Sequence, residues 1–210
     1  EILSRQGCDE TLISAAMQTS SNLNQAPSQH KLTCIDTSLP WLRRMTPDQG
    51  RAMIETIQLL IEADGQIDLF EFMLKQVSQR HIEIGLGLRK PPGIHHKRIH
   101  ELESELADLL AIFAAIAEDD NALQHAIEEY REHTGRELPM VEMNFQKAAE
   151  GLQRMDASTP IVKKQILRLC LLSAKQDGQI NDNEAELLRA VAEAIGCSLP
   201  RGRDAFADLN

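Results

Sequence analysis

Apolar residues recur along this chain at spacings of three and four, the period of a helix. Met53, Ile54, Ile57, Leu60 and Ile61 fall on one helical face, and Ile166, Leu167, Cys170 and Ala174 fall on another. No alternating β-branched run of the strand type stands out. Helices are expected from about Thr46 to Gly65 and from Asp68 to about Arg80. Others are expected over 98–117, 120–134 and 138–154. The last two run from Thr159 to Gly178 and from Asn181 to about Ile195. A modest amphipathic pattern covers residues 1–19, and the polar stretch 19–31 with Pro27 reads as a linker. A short helix is expected around Asp36–Met45. Residues 85–98, GLGLRKPPGIHHKR, read as a loop because glycine and proline crowd it. The expected architecture is an all-α helical bundle of seven to nine helices.

The pattern also repeats. Asp64-Gly65-Gln66-Ile67 is followed by Glu71, and Asp177-Gly178-Gln179-Ile180 is followed by Glu184. The two copies lie 113 residues apart, and Thr46-Pro47 matches Thr159-Pro160 at that same offset. One helix–turn–helix unit has been used twice. The expected organisation is an N-terminal helix and linker (1–35), a first repeat (36–84) and the basic loop (85–98). Intervening helices (99–155), a second repeat (156–200) and a tail (201–210) complete it.

Two readings compete for the repeated element. Its spacing is that of the second half of an EF-hand loop, where Asp precedes Gly and a Glu closes the site. Asp64, Glu71, Asp177 and Glu184 are then candidate metal ligands, for weakly bound calcium or magnesium. The first half of the loop is missing. Leu60 and Ser173 occupy the first-ligand position, and Glu62 and Lys175 the third. Leu60 cannot ligate, and Lys175 brings a positive charge. The other reading is a turn between capped helices. Gly65 and Gly178 end one helix in the left-handed conformation. Asp68 and Asn181 cap the next, with Glu71 and Glu184 three residues on, as a capping box requires. Ile67 and Ile180 stand at the staple position, with Phe72 as the partner in copy one. Asp64 and Asp177 are not required by the turn, since a helix C-terminus disfavours an anion.

Composition narrows the function. The chain has 210 residues and a formal net charge of −10, which argues against a general nucleic-acid binder. Cys8, Cys34, Cys170 and Cys197 have no metal-binding spacing, which points to a reducing compartment, although two bridges are also possible by count. No secretory signal is visible, and a start at Glu1 reads as a fragment or processed product. The longest apolar run, Leu106 to Ala117, is interrupted by Asp108 and falls short of the ~20 residues that span a bilayer.

Other chemistry is sparse. His95, His96 and His100 cluster, but Lys97 follows His96, and Ser104 stands where a second histidine after His100-Glu101 would be. There is no His-Glu-x-x-His motif. Gly85-Leu86-Gly87 lacks the third glycine of a dinucleotide loop, and Asp119-Asp120 fits a helix boundary. Arg80, Arg89, Lys90, Lys97 and Arg98 outnumber Glu83 in the basic loop region. That surface reads as a solvated loop or as a dock for an acidic partner at Arg89, Lys90, Lys97 and Arg98.

The stretch SLPWLRRMTPDQGRAMIETIQLLIEADGQIDLFEFMLKQVSQRHI (38–82), the basic loop, and KQDGQINDNEAELLRAVAEAIGCSLP (175–200) resemble a known C-terminal region. It belongs to bacterial membrane-bound zinc metallopeptidases described as Zn-dependent proteases with chaperone function, which are related to CAAX-prenyl-protease-like enzymes. The likeness covers residues 36–200. The Asp-Gly-x-Ile-x-x-x-Glu unit is also similar to tellurite-resistance TerB-like helical domains. The resemblance implies a soluble accessory domain of a bacterial inner-membrane hydrolase, on the cytoplasmic side, serving docking, regulation or substrate and partner binding. The partner is another protein or the peptidase domain of the same polypeptide. Zinc and the catalytic Glu belong to a His-Glu-x-x-His domain that this chain lacks, so no residue here is catalytic or holds a cofactor. The alternative is a free-standing TerB-like cation-binding module, and the plainest is a scaffold with neither role. In copy two, Lys175-Gln176 replaces Glu62-Ala63, a departure from two equivalent sites.

Overall fold

The computed structural model describes residues 1–24, 28–63, 65, 67–117, 121–174 and 180–197. Asp64, Asp177 and the tail from 198 lie outside them. The chain is an all-α protein. Among the described residues its only β feature is an isolated bridge between His96 and Ser158. It divides into two compact units, Glu1–Pro91 and Pro92–Asn210, parting within the Pro-Pro pair of the basic loop.

The first unit holds α1 (Ile2–Arg5), α2 (Glu10–Asn24), α3 (Ser28–Leu42), α4 (Pro47–Ile61) and α5 (Leu69–Gly85). Helix α5 is its centre and packs against both α3 and α4. Phe72, Met73, Val77 and Ile82 of α5 and Ile61 of α4 form the small core. The linker expected over 19–31 is largely helical instead: α2 runs to Asn24 and α3 begins at Ser28. Ser, Asn and Gln cost a helix only about 0.7 kcal/mol or less each, too little to break one. Helix α3 also starts earlier than expected and carries Pro40 within its last turn. The expected apolar face of α4 is only partly covered, since Met53 and Leu60 remain exposed.

The second unit holds a 3-10 turn (Ile99–Leu102), α6 (Glu103–Ala117), α7 (Ala122–Thr134), α8 (Phe145–Asp156), α9 (Pro160–Ala174) and α10 (Asp182–Ala194). The described helices outnumber the seven to nine expected, because the N-terminal region forms three. Helix α6 is buried on nearly every side, against α7, α8, α9 and α10. Leu106, Leu109, Leu110, Ile112 and Phe113 of α6 meet a core shared with Leu152, Ile166, Cys170, Leu187 and Val191. Gly151 lets α8 approach closely: a Cβ there would stand 3.0 Å from Cβ of Glu105 on α6. The Arg154 guanidinium of α8 pairs with that same Glu105 carboxylate. Residues 138–144, expected to be helical, are not. Pro139 disfavours helix at Leu138, and α8 starts only where Asn144 accepts a hydrogen bond from Lys147 N–H at 2.9 Å.

The internal repeat is two helix pairs. Helices α4 and α9 are each 15 residues long, and α4, α5, α9 and α10 start at positions that match at the offset of 113. One pair lies in each unit. Helix α9 is buried along most of its length, whereas α4 buries only Gly50 and Ile61.

Candidate functional site

The cap chemistry of the repeat is local and complete. Thr46 Oγ1 accepts from Gln49 N–H at 3.3 Å, and Thr46 N–H donates to Gln49 Oε1 at 2.9 Å. In the second copy Val162 replaces Gln49, so only Thr159 Oγ1 accepts, at 3.4 Å. Asp68 Oδ1 accepts from Glu71 N–H at 2.8 Å, and Asp68 N–H donates to Glu71 Oε2 at 3.1 Å. Asn181 and Glu184 make the same reciprocal pair at 2.9 and 2.8 Å. Gly65 has a φ of 74°, the left-handed conformation that the turn demands.

Of the four candidate metal ligands, the structure describes Glu71 and Glu184, and each holds a cap. Asp64 and Asp177 fall outside the described residues. Glu184 is 1% exposed, and its Oε1 has no hydrogen-bond partner. Burial raises its pKa against the opposing pull of the Asn181 N–H. Among the described residues no group of three or more His, Cys, Asp or Glu is arranged to hold a metal ion.

The histidine cluster is part of the fold. His95 and His96 N–H both donate to the Ala157 carbonyl, at 2.7 and 3.1 Å, and Thr159 N–H donates to the His96 carbonyl at 3.0 Å. The His96 ring lies 3.6 Å from the Glu101 carboxylate. The cations of the basic loop are shared between the two units. Arg80, Arg89 and Lys90 belong to the first unit, and Lys97 and Arg98 to the second. Arg89 is also paired with Glu83 at 2.9 Å.

A concave feature lies between α7 and α9. Ile99, Tyr130, Pro160, Ile161 and Leu169 line an apolar groove of about 410 Å³, within the range of ligand pockets. Tyr130 is held in the wall by its hydroxyl, which donates to Glu103 Oε1 at 2.8 Å. Burial and that carboxylate push the phenol pKa well above its usual value. Two cross-helix pairs form rungs over the groove: Arg168 with Glu129 at 3.0 Å, and Gln165 with His133 at 3.0 Å. Their order shows that α7 and α9 run antiparallel. Beyond the Arg168–Glu129 rung, His125, Glu128, Glu132 and Leu172 line a second, acidic depression of about 350 Å³. At the other end Ile161 stands 73% exposed beside the groove.

The sequence pattern did not single out this groove, but one signal was present. Ile161 lies on the side of α9 that carries Lys164, Gln165 and Arg168, opposite the buried face of Ile166 and Cys170. An isoleucine among these polar residues is out of place for a helix that needs only to pack inward.

No protein-family model, no curated protein and no solved structure matches the chain. No helix among the described residues is long and apolar enough to cross a membrane.

Proposed function

We propose that this chain is a non-catalytic accessory domain that docks a protein segment, within a membrane-bound zinc metallopeptidase. The observation that carries the docking role is the open apolar groove of the second unit, with Ile161 at its mouth. A contiguous exposed apolar surface of this kind is a recurring mark of binding sites. The peptidase setting rests on the resemblance of residues 36–200. In this reading the two helix pairs are TerB-like repeats with a structural part, and Glu71 and Glu184 serve the caps they make. Zinc belongs to the peptidase domain. Casein hydrolysis by the purified chain, with zinc present, tests the non-catalytic role. None is expected, and hydrolysis abolished by a chelator overturns it. The open reading frame upstream of Glu1 tests the setting: membrane spans and a His-Glu-x-x-His motif are expected there, and their absence overturns it.

One observation favours a second reading, a cation-binding module. Oε1 of Glu184 is buried and has no hydrogen-bond partner. Millimolar calcium that raises the melting temperature of the native chain but not of Glu184→Gln supports this reading, and an equal response in both counts against it.

A further inference from the structure

We infer that the α7–α9 groove takes an acidic, apolar peptide segment, with its large apolar side chains in the groove and a carboxylate over Lys164. The inference rests on the docking role proposed above and names the chemistry of the partner.

The groove has a charge polarity. At its apolar end Lys164 is exposed and makes no ion pair among the described residues; its neighbour Lys163 pairs with Asp156, at 3.2 Å. Arg168 is already held by Glu129. Beside Glu129 the neighbouring face of α7 is acidic, with Glu128 and Glu132. A basic peptide over the apolar end meets an unneutralised ammonium, whereas an acidic one neutralises it. In a chain with a net charge of −10, that local cation is a place where an acidic segment meets attraction rather than repulsion. The Ile161 side chain offers the apolar contact and Lys164, one turn later, the charged one, so a single short segment reaches both.

An exposed pair of this kind contributes up to about 1 kcal/mol. Replacing attraction by repulsion therefore changes affinity about tenfold at low salt, and less as salt screens it. The test uses the whole chain and two fluorescein-labelled probe peptides. One carries a Leu-Phe-Glu-Glu core, and the other carries lysines in place of the glutamates. Fluorescence anisotropy is expected to show the acidic probe binding about tenfold more tightly. Lys164→Glu is expected to reverse the preference, and Ile161→Asp to weaken both probes. Both substitutions are at exposed positions, and circular dichroism checks that the fold is retained. Equal binding of the two probes, or an unchanged ratio in Lys164→Glu, overturns the acidic chemistry while leaving a neutral docking role standing. No binding of either probe, or Ile161→Asp binding as well as the native chain, overturns the groove as the docking site altogether.

Discussion

Asn181 and Glu184 hold each other at the start of α10: the Asn181 side chain accepts from the Glu184 amide at 2.9 Å, and the Asn181 amide donates to the Glu184 carboxylate at 2.8 Å. Asp68 and Glu71 do the same at the start of α5. The repeat thus keeps one cap chemistry, at the same spacing, in two different units. Loss of a cap costs about 0.5–2 kcal/mol. Asn181→Ala is expected to destabilise the second unit by that amount, and Asp68→Ala the first. Urea unfolding followed by a reporter in each unit checks which transition moves.

Glu184 also gives the second unit a pH dependence. Its folded-state pKa is raised above the ordinary value of 4.5 because the carboxyl is buried. The protonated carboxyl therefore favours the folded state, and that contribution is fully present below about 4.5 and lost as pH rises through the raised value. Glu184→Gln keeps an oxygen for the Asn181 amide and removes the titration. Stability of the native chain relative to Glu184→Gln is expected to fall as pH rises from 4 to 8. Parallel profiles for the two proteins contradict this assignment.

The four thiols are free and differ sharply in reach. Cys34 is exposed, whereas Cys170 is fully buried on α9, where burial pushes its pKa well above the usual thiol range. A thiol reagent at neutral pH is expected to label Cys34 at once and Cys170 only on unfolding. Mass spectrometry of labelled peptides reads the order, and rapid native labelling of Cys170 contradicts the packing of α9.

The close approach of α6 and α8 at Gly151 makes a further prediction. A leucine there brings its Cβ to 3.0 Å from Cβ of Glu105 and adds bulk beyond it. Overpacking of this kind costs about 1–3 kcal/mol. Gly151→Leu is expected to lower the melting temperature of the second unit, and an unchanged one contradicts the contact.

Much of the fold was legible because its helix boundaries are set by neighbouring residues. Thr46, Asp68 and Asn181 each cap a helix with a side chain that bonds three residues on. Gly135 and Gly196 end theirs at φ values of 69° and 73°. Where polar residues are helical without a cap signal, or a proline and a cap override helical spacing, the reading failed. Residues 19–24 and 28–31 are polar yet helical, and 138–144 carry helical spacing yet are held out of a helix by Pro139 and the Asn144 cap. The groove needed the structure for another reason, long-range pairing. Tyr130 and Ile161 are 31 positions apart in sequence, and only the pairing of α7 with α9 brings them together. In the basic loop the structure adds that Arg89 pairs with Glu83, and that the run of cations is shared between two units.

The docking role is tested most directly by mapping where a peptide lands. Amide chemical shifts of the isotope-labelled chain, titrated with the Leu-Phe-Glu-Glu probe, report every contact at once. The account predicts saturating shifts centred on Thr134, Ile161, Lys164 and Gln165, with α4 and α5 unmoved. Shifts centred on the first unit, or none at all at millimolar probe, contradict it.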